Sequence, residues 1–312
     1  MSFSLLLVTG VLWQLTALLP GAQACDAQSD QDPRRGELPN EPLVDLTNIR
    51  WAHGVEDCHA ARAASGYVEW QQVRYQADTY IFRQNKCSNY EGPFVYLFAG
   101  TDKALLIDTG ATVEGGAALL DAVRAVIDDM PLVVAHSHGH GDHTQGDGAF
   151  ASAGNAVLAG IGTAAVQEFF GFEDWPHNPT CLELGGRRIE VLPIPGHTDD
   201  DVAFYDPVSR FLVTGDTLYP GRLYVGDWGK FRASIARLAE WIRNKPVVHV
   251  MGTHIEMSTT PDVDYPIGTT WQPNEHILPL PASAVSLLHE TIDAMDAPER
   301  TWLGSFILWP RQ

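Results

Sequence analysis

One order of segments occurs twice in this chain, and it restricts the fold more than any single motif does. PFVYLFAG and KALLIDTG meet at Gly100-Thr101-Asp102 and read as a hairpin. Residues 114–129 then place Leu119, Val123, Val126 and Ile127 at helical spacing, and Pro131 opens the apolar run PLVVA. DVAFYD and RFLVTGD, around Pro207-Val208-Ser209, repeat the hairpin; Phe231, Ile235, Leu238 and Ile242 repeat the helix over 230–243; Pro246 opens PVVHVMG. An aspartate ends each hairpin, Asp108 and Asp216, and histidines follow each last strand. Identity between the halves is slight, so the repeat is one of organisation. Strands alternating with helices predict an α/β protein whose sheets are covered by helices, with its polar clusters in loops at strand ends. The alternation starts at about residue 66. Beyond it, 258–280 reads as a Pro- and Thr-rich loop, 282–294 as a helix and TWLGSFIL as a final strand.

A length of 312 residues suits one large domain or two small ones with a substantial core. The 20 basic and 39 acidic residues leave a formal charge of −19, which repels nucleic acid and anionic membrane surfaces and leaves a small molecule as the expected partner. Nothing in the pattern sets an oligomeric state. Residues 1–24 carry no charged side chain, contain LLLVTGVLWQLTALL and end in Ala22-Gln23-Ala24, which reads as a secretory signal cleaved after Ala24. The mature chain is then secreted or periplasmic, without stable membrane association. The alternatives are an uncleaved anchor, since MSFS adds no basic side chain, and a lipoprotein on Cys25, against which Ala22 stands where a lipobox carries Leu. Residues 25–65 form an N-terminal extension, with 26–42 polar enough for a loose linker. Cys25, Cys58, Cys87 and Cys181 include no CxxC pair. Cys58 with Cys87 is the first disulfide to test; small buried thiols are the alternative.

HSHGHGDH, at 136–143, concentrates four of the twelve histidines in eight positions. A transition-metal site needs neutral imidazoles and ionised carboxylates at about 2.0–2.2 Å from one ion, and close spacing on a loop achieves this at low entropic cost. His138, His140, Asp142 and His143 are the candidates, with Gly139 and Gly141 expected to let the backbone curl. One tetrahedral ion with an open position cannot take all four, so two ions are expected.

HGHGDH matches the HxHxDH signature of the metallo-β-lactamase superfamily, and other motifs follow the family's order. Ile107-Asp108-Thr109-Gly110, Pro195-Gly196-His197-Thr198, Thr214-Gly215-Asp216-Thr217 and Gly252-Thr253-His254 resemble its remaining motifs, so the resemblance spans about residues 66–257. It implies an αββα sandwich with metals at one edge of the sheets. It also implies that His138, His140 and His197 hold one ion, that Asp142, His143 and His254 hold the other, and that Asp216 bridges them. Asp108 would sit behind the ligands and accept a hydrogen bond that steadies their loop. His136 matches no ligand position and is expected at a strand end or behind the ligands.

The implied chemistry is hydrolysis of an ester, thioester, lactone or amide through a metal-bridging hydroxide, with a carbonyl polarised by one ion. Asp142 would relay a proton to the leaving group. Tyr219, three residues after Asp216, resembles a lactonase tyrosine that donates to a substrate oxygen; packing on the rim is its alternative. Zinc suits the His-rich N/O donor set, and manganese and iron use similar ligands. GDTLYPGRLYVGDWGKF resembles a glyoxalase II segment, although counterparts of that enzyme's C-terminal glutathione-binding motifs are missing. A β-lactamase and a glyoxalase II-type thioesterase are the hydrolytic alternatives, and an iron-dependent oxidoreductase on the same fold is the alternative of another class.

Overall fold

The computed structural model describes residues 23–25 and 44–311, so most of the expected export signal and the expected 26–42 linker lie outside the described residues. Strands β2 (Trp70–Gln76), β3 (Thr79–Gln84), β4 (Phe94–Ala99), β5 (Ala104–Ile107), β6 (Leu132–Ala135) and β7 (Ala156–Leu158) form one sheet in that order. The second sheet runs β1 (Gln23–Ala24), β8 (Thr180–Glu183), β9 (Arg188–Pro193), β10 (Val202–Asp206), β11 (Phe211–Gly215), β13 (His249–Gly252), β14 (Pro279–Leu280). Among the described residues the helices are α1 (Cys58–Ala63), α2 (Val113–Ile127), α3 (Gly141–Thr144), α4 (Asp147–Ala151), α5 (Thr163–Phe170), α6 (Trp228–Ile242) and α7 (Ser283–Asp293). None is long and apolar enough to cross a membrane.

The two halves share one topology. The antiparallel pair β4–β5 leads through α2 to β6, parallel to β5, and the antiparallel pair β10–β11 leads through α6 to β13, parallel to β11. Side-chain alternation sorts the layers. Phe94, Tyr96 and Phe98 of β4 meet Val202, Phe204, Phe211 and Val213 in the core between the sheets. Val95 and Leu97 face outward onto Leu119 and Val123 of α2, while Ala203 and Tyr205 face outward onto Phe231, Ile235 and Leu238 of α6 and Val285 and Leu288 of α7. Helix, sheet, sheet, helix is therefore the layer order, the αββα sandwich expected.

One local reading changes. TWLGSFIL is a hairpin, β15 (Thr301–Trp302) and β16 (Ile307–Pro310), because Gly304 at φ 75° turns the chain and Leu303 N–H bonds the Phe306 carbonyl. Strand β16 also pairs with β12 (Arg222–Val225), making a third, three-stranded sheet. Beyond the expected 26–42 linker the extension packs inward: Leu46 and Trp51 are buried in the inter-sheet core, Trp51 edge-on to Phe94 at 4.9 Å. The cysteines are not free thiols; Cys58 joins Cys87 as expected, and Cys25 joins Cys181.

Candidate metal centre

The parallel pairing of β5 and β6 puts Asp108, which follows β5, beside Ser137, two residues past β6. Asp108 is fully buried at φ 71°, a region that costs a non-glycine residue roughly 1–3 kcal/mol. Three hydrogen bonds offset that strain. Its carboxylate accepts from Ser137 N–H at 2.7 Å, Ser137 Oγ at 2.9 Å and His143 Nδ1 at 3.0 Å. The loop from Ser137 to His140 is thereby fixed at its start, and α3 carries Asp142 and His143 back across it.

Four of the five imidazoles have the outer nitrogen engaged and the inner one free to converge, the fourth being His143 on Asp108. His197 Nδ1 donates to the Tyr224 carbonyl at 2.6 Å, His254 Nδ1 to the Glu91 carbonyl at 3.1 Å, and His138 Nδ1 lies 3.2 Å from Ser137 Oγ. Such partners orient ligating histidines in metal sites generally. Inside, His138 Nε2 and His197 Nε2 each stand 3.0 Å from His140 Nδ1. One ring N–H can serve only one of these contacts, whereas a single cation serves all three nitrogens. Donors at 2.0–2.1 Å around a tetrahedral ion are about 3.3 Å apart, close to what is seen. Asp142, His143, Asp216 and His254 make a second group, with Asp142 Oδ2 at 3.4 Å from His143 Nε2 and 3.2 Å from His254 Nε2.

Asp216 faces both groups. Its Oδ1 is 3.4 Å from His254 Nε2 and accepts from Thr253 Oγ1 at 2.6 Å, while Oδ2 is 3.8 Å from His197 Nε2 and 4.0 Å from His138 Nε2. Burial would raise its carboxyl, but the imidazoles of His254 and His143 hold it well below the ordinary carboxylate range. Burial, reinforced by His143, keeps His138 well below the usual imidazole value, and burial also lowers His197. Neutral imidazole and ionised carboxylate are the forms that ligate cations. His254 runs against its own burial, pushed up to about 9 chiefly by Asp216 and Asp142.

All seven residues that the sequence singled out as ligands lie in two adjoining groups, and Asp108 is bonded to Ser137 and His143 behind them. His136 stays outside, buried, with Nε2 at 3.3 Å from Asp147 Oδ2. Gly139 and Gly141 do not have positive φ; a Cβ at Gly139 would stand 2.5 Å from Ile161 Cγ2 and 2.8 Å from Asp200 Oδ2, so glycine supplies room there, while Asp108, Gly110 and Gly215 of the flanking motifs have positive φ. The Tyr219 hydroxyl is turned to neighbours within the chain. The side chain is buried, donating to the Arg222 carbonyl at 2.6 Å beside Glu256 Oε2 at 3.0 Å, with its ring 5.8 Å from that of His254. The carbonyls of Tyr224 and Glu91 had no sequence signal, because any residue type supplies one. Ser137 and Thr253 lay inside the quoted motifs but matched no ligand position.

Asp108→Asn tests the support directly, since Asn tolerates the same backbone region but turns an amide toward donors. Metal affinity measured by chelator competition should fall about 10- to 100-fold; unchanged affinity would limit Asp108 to a backbone role.

Residues 90–269 match the family described as the metallo-beta-lactamase superfamily. That is more than half of the chain, and the protein belongs to this superfamily. The hydroxyacylglutathione hydrolase of Chromohalobacter salexigens is 38% identical over 110 residues, which cover 33% of this chain and 41% of that relative. The hydroxyacylglutathione hydrolase of Methylobacillus flagellatus is 30% identical over 164 residues, 48% of this chain and 58% of the relative. The chain thus spans about half the length of the curated relatives it matches. A metallo-beta-lactamase from Pontibacter korlensis superposes with a TM-score of 0.51 at 21% identity, covering 72% of this chain and 100% of that one, a likeness of fold.

Proposed function

We propose that the protein is an exported hydrolase that cleaves an ester, thioester, lactone or amide at a centre of two divalent ions, zinc first among them. The observation that carries this reading is the Asp216 carboxylate, whose Oδ1 faces His254 and whose Oδ2 lies within 4.0 Å of His143 of one group and of His197 and His138 of the other. His138, His140 and His197 would hold one ion, and Asp142, His143 and His254 the other. Bound there, such ions supply an activated water and polarise a substrate carbonyl. The chain supplies the rest. Asp142, half-buried beside His143 and His254, is the carboxylate placed to pass a proton to the leaving group. The imidazoles behind it are kept in register by Asp108, the Tyr224 carbonyl and the Glu91 carbonyl.

The names of the curated relatives favour an acyl-transfer substrate such as a thioester, while half-length similarity leaves the leaving group open. Export is supported by the engagement of all four cysteines in disulfides, which persist in oxidising compartments. The sulfur of Cys25 is bonded to that of Cys181, which is incompatible with a lipid thioether on the same atom.

The test combines metal analysis of protein purified without added metal with a screen of lactones, thioesters, aryl esters and β-lactams after zinc or iron reconstitution. Two metals per chain and hydrolysis with zinc are expected. Activity with iron alone and no hydrolysis of any substrate would sink the proposal.

A further inference from the structure

The loop between β3 and β4 has turn bonds enough to close by itself. Ser88 N–H bonds the Asn85 carbonyl at 2.8 Å and Gly92 N–H the Asn89 carbonyl at 3.0 Å. Asn85 Oδ1 accepts from Cys87 N–H and Asn89 Oδ1 from Glu91 N–H, both at 2.9 Å, and the disulfide from Cys87 to Cys58 ties the loop to α1. Lys86 nevertheless turns its side chain inward, 2% exposed, and its Nζ donates to the Tyr90 carbonyl at 2.6 Å and toward that of Glu91 at 3.4 Å. Burying an ammonium is costly, and burial brings this amine down to about 7. Ammonium and neutral amine both carry N–H groups, so the contact persists in either form. Glycines leave room for the stem: a Cβ at Gly92, φ 50°, would lie 2.6 Å from Lys86 Cγ, and one at Gly54 3.2 Å from Lys86 Cβ.

What the amine holds is the peptide that receives His254. A carbonyl oxygen has lone pairs for two donors, and Lys86 Nζ at 3.4 Å and His254 Nδ1 at 3.1 Å both point to that of Glu91. With Nδ1 committed there, His254 turns Nε2 toward Asp142 Oδ2 at 3.2 Å and Asp216 Oδ1 at 3.4 Å. The bond from Phe94 N–H to the Thr253 carbonyl, 2.8 Å, fixes the backbone beside His254 but not the rotation of its ring. His197 takes its orientation elsewhere, from the Tyr224 carbonyl in β12. A side chain that sets the Glu91 carbonyl therefore acts on one donor group and not on the other.

We infer that Lys86 is a positioning residue for His254. Through the Tyr90 and Glu91 carbonyls it sets how tightly Asp142, His143 and His254 hold their ion, and it has no such hold on the group of His138, His140 and His197. The inference rests on the two-ion reading and adds to it a residue that touches no ligand.

The test needs no turnover. Zinc is competed from each protein with a chromophoric chelator, which gives two stepwise affinities. Lys86→Met keeps the length of the stem and removes the N–H donors; one affinity should fall about tenfold, the lower end for groups behind a metal ligand, while the other is unchanged. Ser88→Ala, in the same loop but directed at Glu69 Oε2 at 2.6 Å, should change neither. A loss spread equally over both affinities, no loss in Lys86→Met, or the same loss in Ser88→Ala overturns the positioning role. If Lys86→Met does not fold, the wild type decides: the nitrogen-15 resonance of Lys86 Nζ should move with one zinc equivalent only, and a resonance that ignores both equivalents or follows both alike overturns the inference. A wild-type chain that binds fewer than two ions overturns the two-ion reading as well, whereas two wild-type ions whose affinities Lys86→Met leaves alone overturn this inference only.

Discussion

Asp216→Ala is expected to leave a folded protein that has lost at least one metal ion per chain and nearly all hydrolysis. The size of the effect follows from position. Removing a group behind a metal ligand commonly costs 10- to 100-fold, and Asp216 is itself within 4.0 Å of imidazole nitrogens in both donor groups. Turnover should therefore fall by more than about a hundredfold. Without the carboxylate, four ring nitrogens lose a negative charge that stands within 4.0 Å of each, and Thr253 Oγ1 loses its acceptor. The backbone around it is secured independently: β11 pairs with both β10 and β13, and Thr214 Oγ1 donates to the Leu218 carbonyl at 2.6 Å. Metal content by mass spectrometry and far-ultraviolet circular dichroism separate the two effects. Retention of two ions per chain would disprove the bridging role, and loss of the dichroism spectrum would reassign Asp216 to the fold.

The largest expected loss of stability lies away from the centre, at Arg187. Its guanidinium is buried between the two sheets and donates to Asp206 Oδ1 at 3.0 Å and Oδ2 at 2.6 Å in the second sheet. It also reaches the Asp78 carbonyl at 2.7 Å, the Ala99 carbonyl at 3.2 Å and Thr79 Oγ1 at 2.7 Å, all from the first. Arg187→Ala leaves Asp206 charged, buried and without its counter-ion, which typically costs about 3–5 kcal/mol. A urea midpoint lower by about 1 M or more is the corresponding measurement. Replacing both partners, as in Arg187→Met with Asp206→Leu, should recover most of the loss, because apolar pairs of similar volume do without the desolvation of two charges. A shift below about 1 kcal/mol for Arg187→Ala would mean that the sheets are not cross-linked through this residue.

The pair also sets a pH dependence. Burial would raise the Asp206 carboxyl, but Arg187 and Ser209 hold it below its ordinary value. A group depressed in the folded state binds fewer protons there than when unfolded, so its contribution is present above the ordinary carboxylate range and is lost as pH falls through the folded value. The Arg187→Ala protein should accordingly lose less of its remaining stability on acidification than the wild type does.

Much of this molecule was legible in the residue order, and the parts that were share a property. Hairpin, helix and Pro-led strand could be read twice because each is specified by neighbours in sequence, through apolar periodicity and turn residues. HGHGDH was legible for the same reason: four donors in six residues have no common structural use other than ligation. The hairpin at Gly304 was missed although Gly304-Ser305 is a turn pair, because its first arm, Thr301–Trp302, is too short to show alternation. The inward packing of Leu46 and Trp51 was missed because the apolar residues of 43–51 follow neither a helical nor an alternating period.

The sequence by itself determined the two-fold succession of elements and the identity of the donor side chains, which depend on residue type and short spacing. Only the tertiary structure decided which atoms meet. It joined His197, Asp216 and His254 to a loop at 138–143 and turned four imidazoles by partners of which two are backbone carbonyls. It also turned the Tyr219 hydroxyl to the Arg222 carbonyl. Those outcomes depend on sheet pairing and on where a buried donor finds its acceptor, and neither is encoded by any residue together with its sequence neighbours.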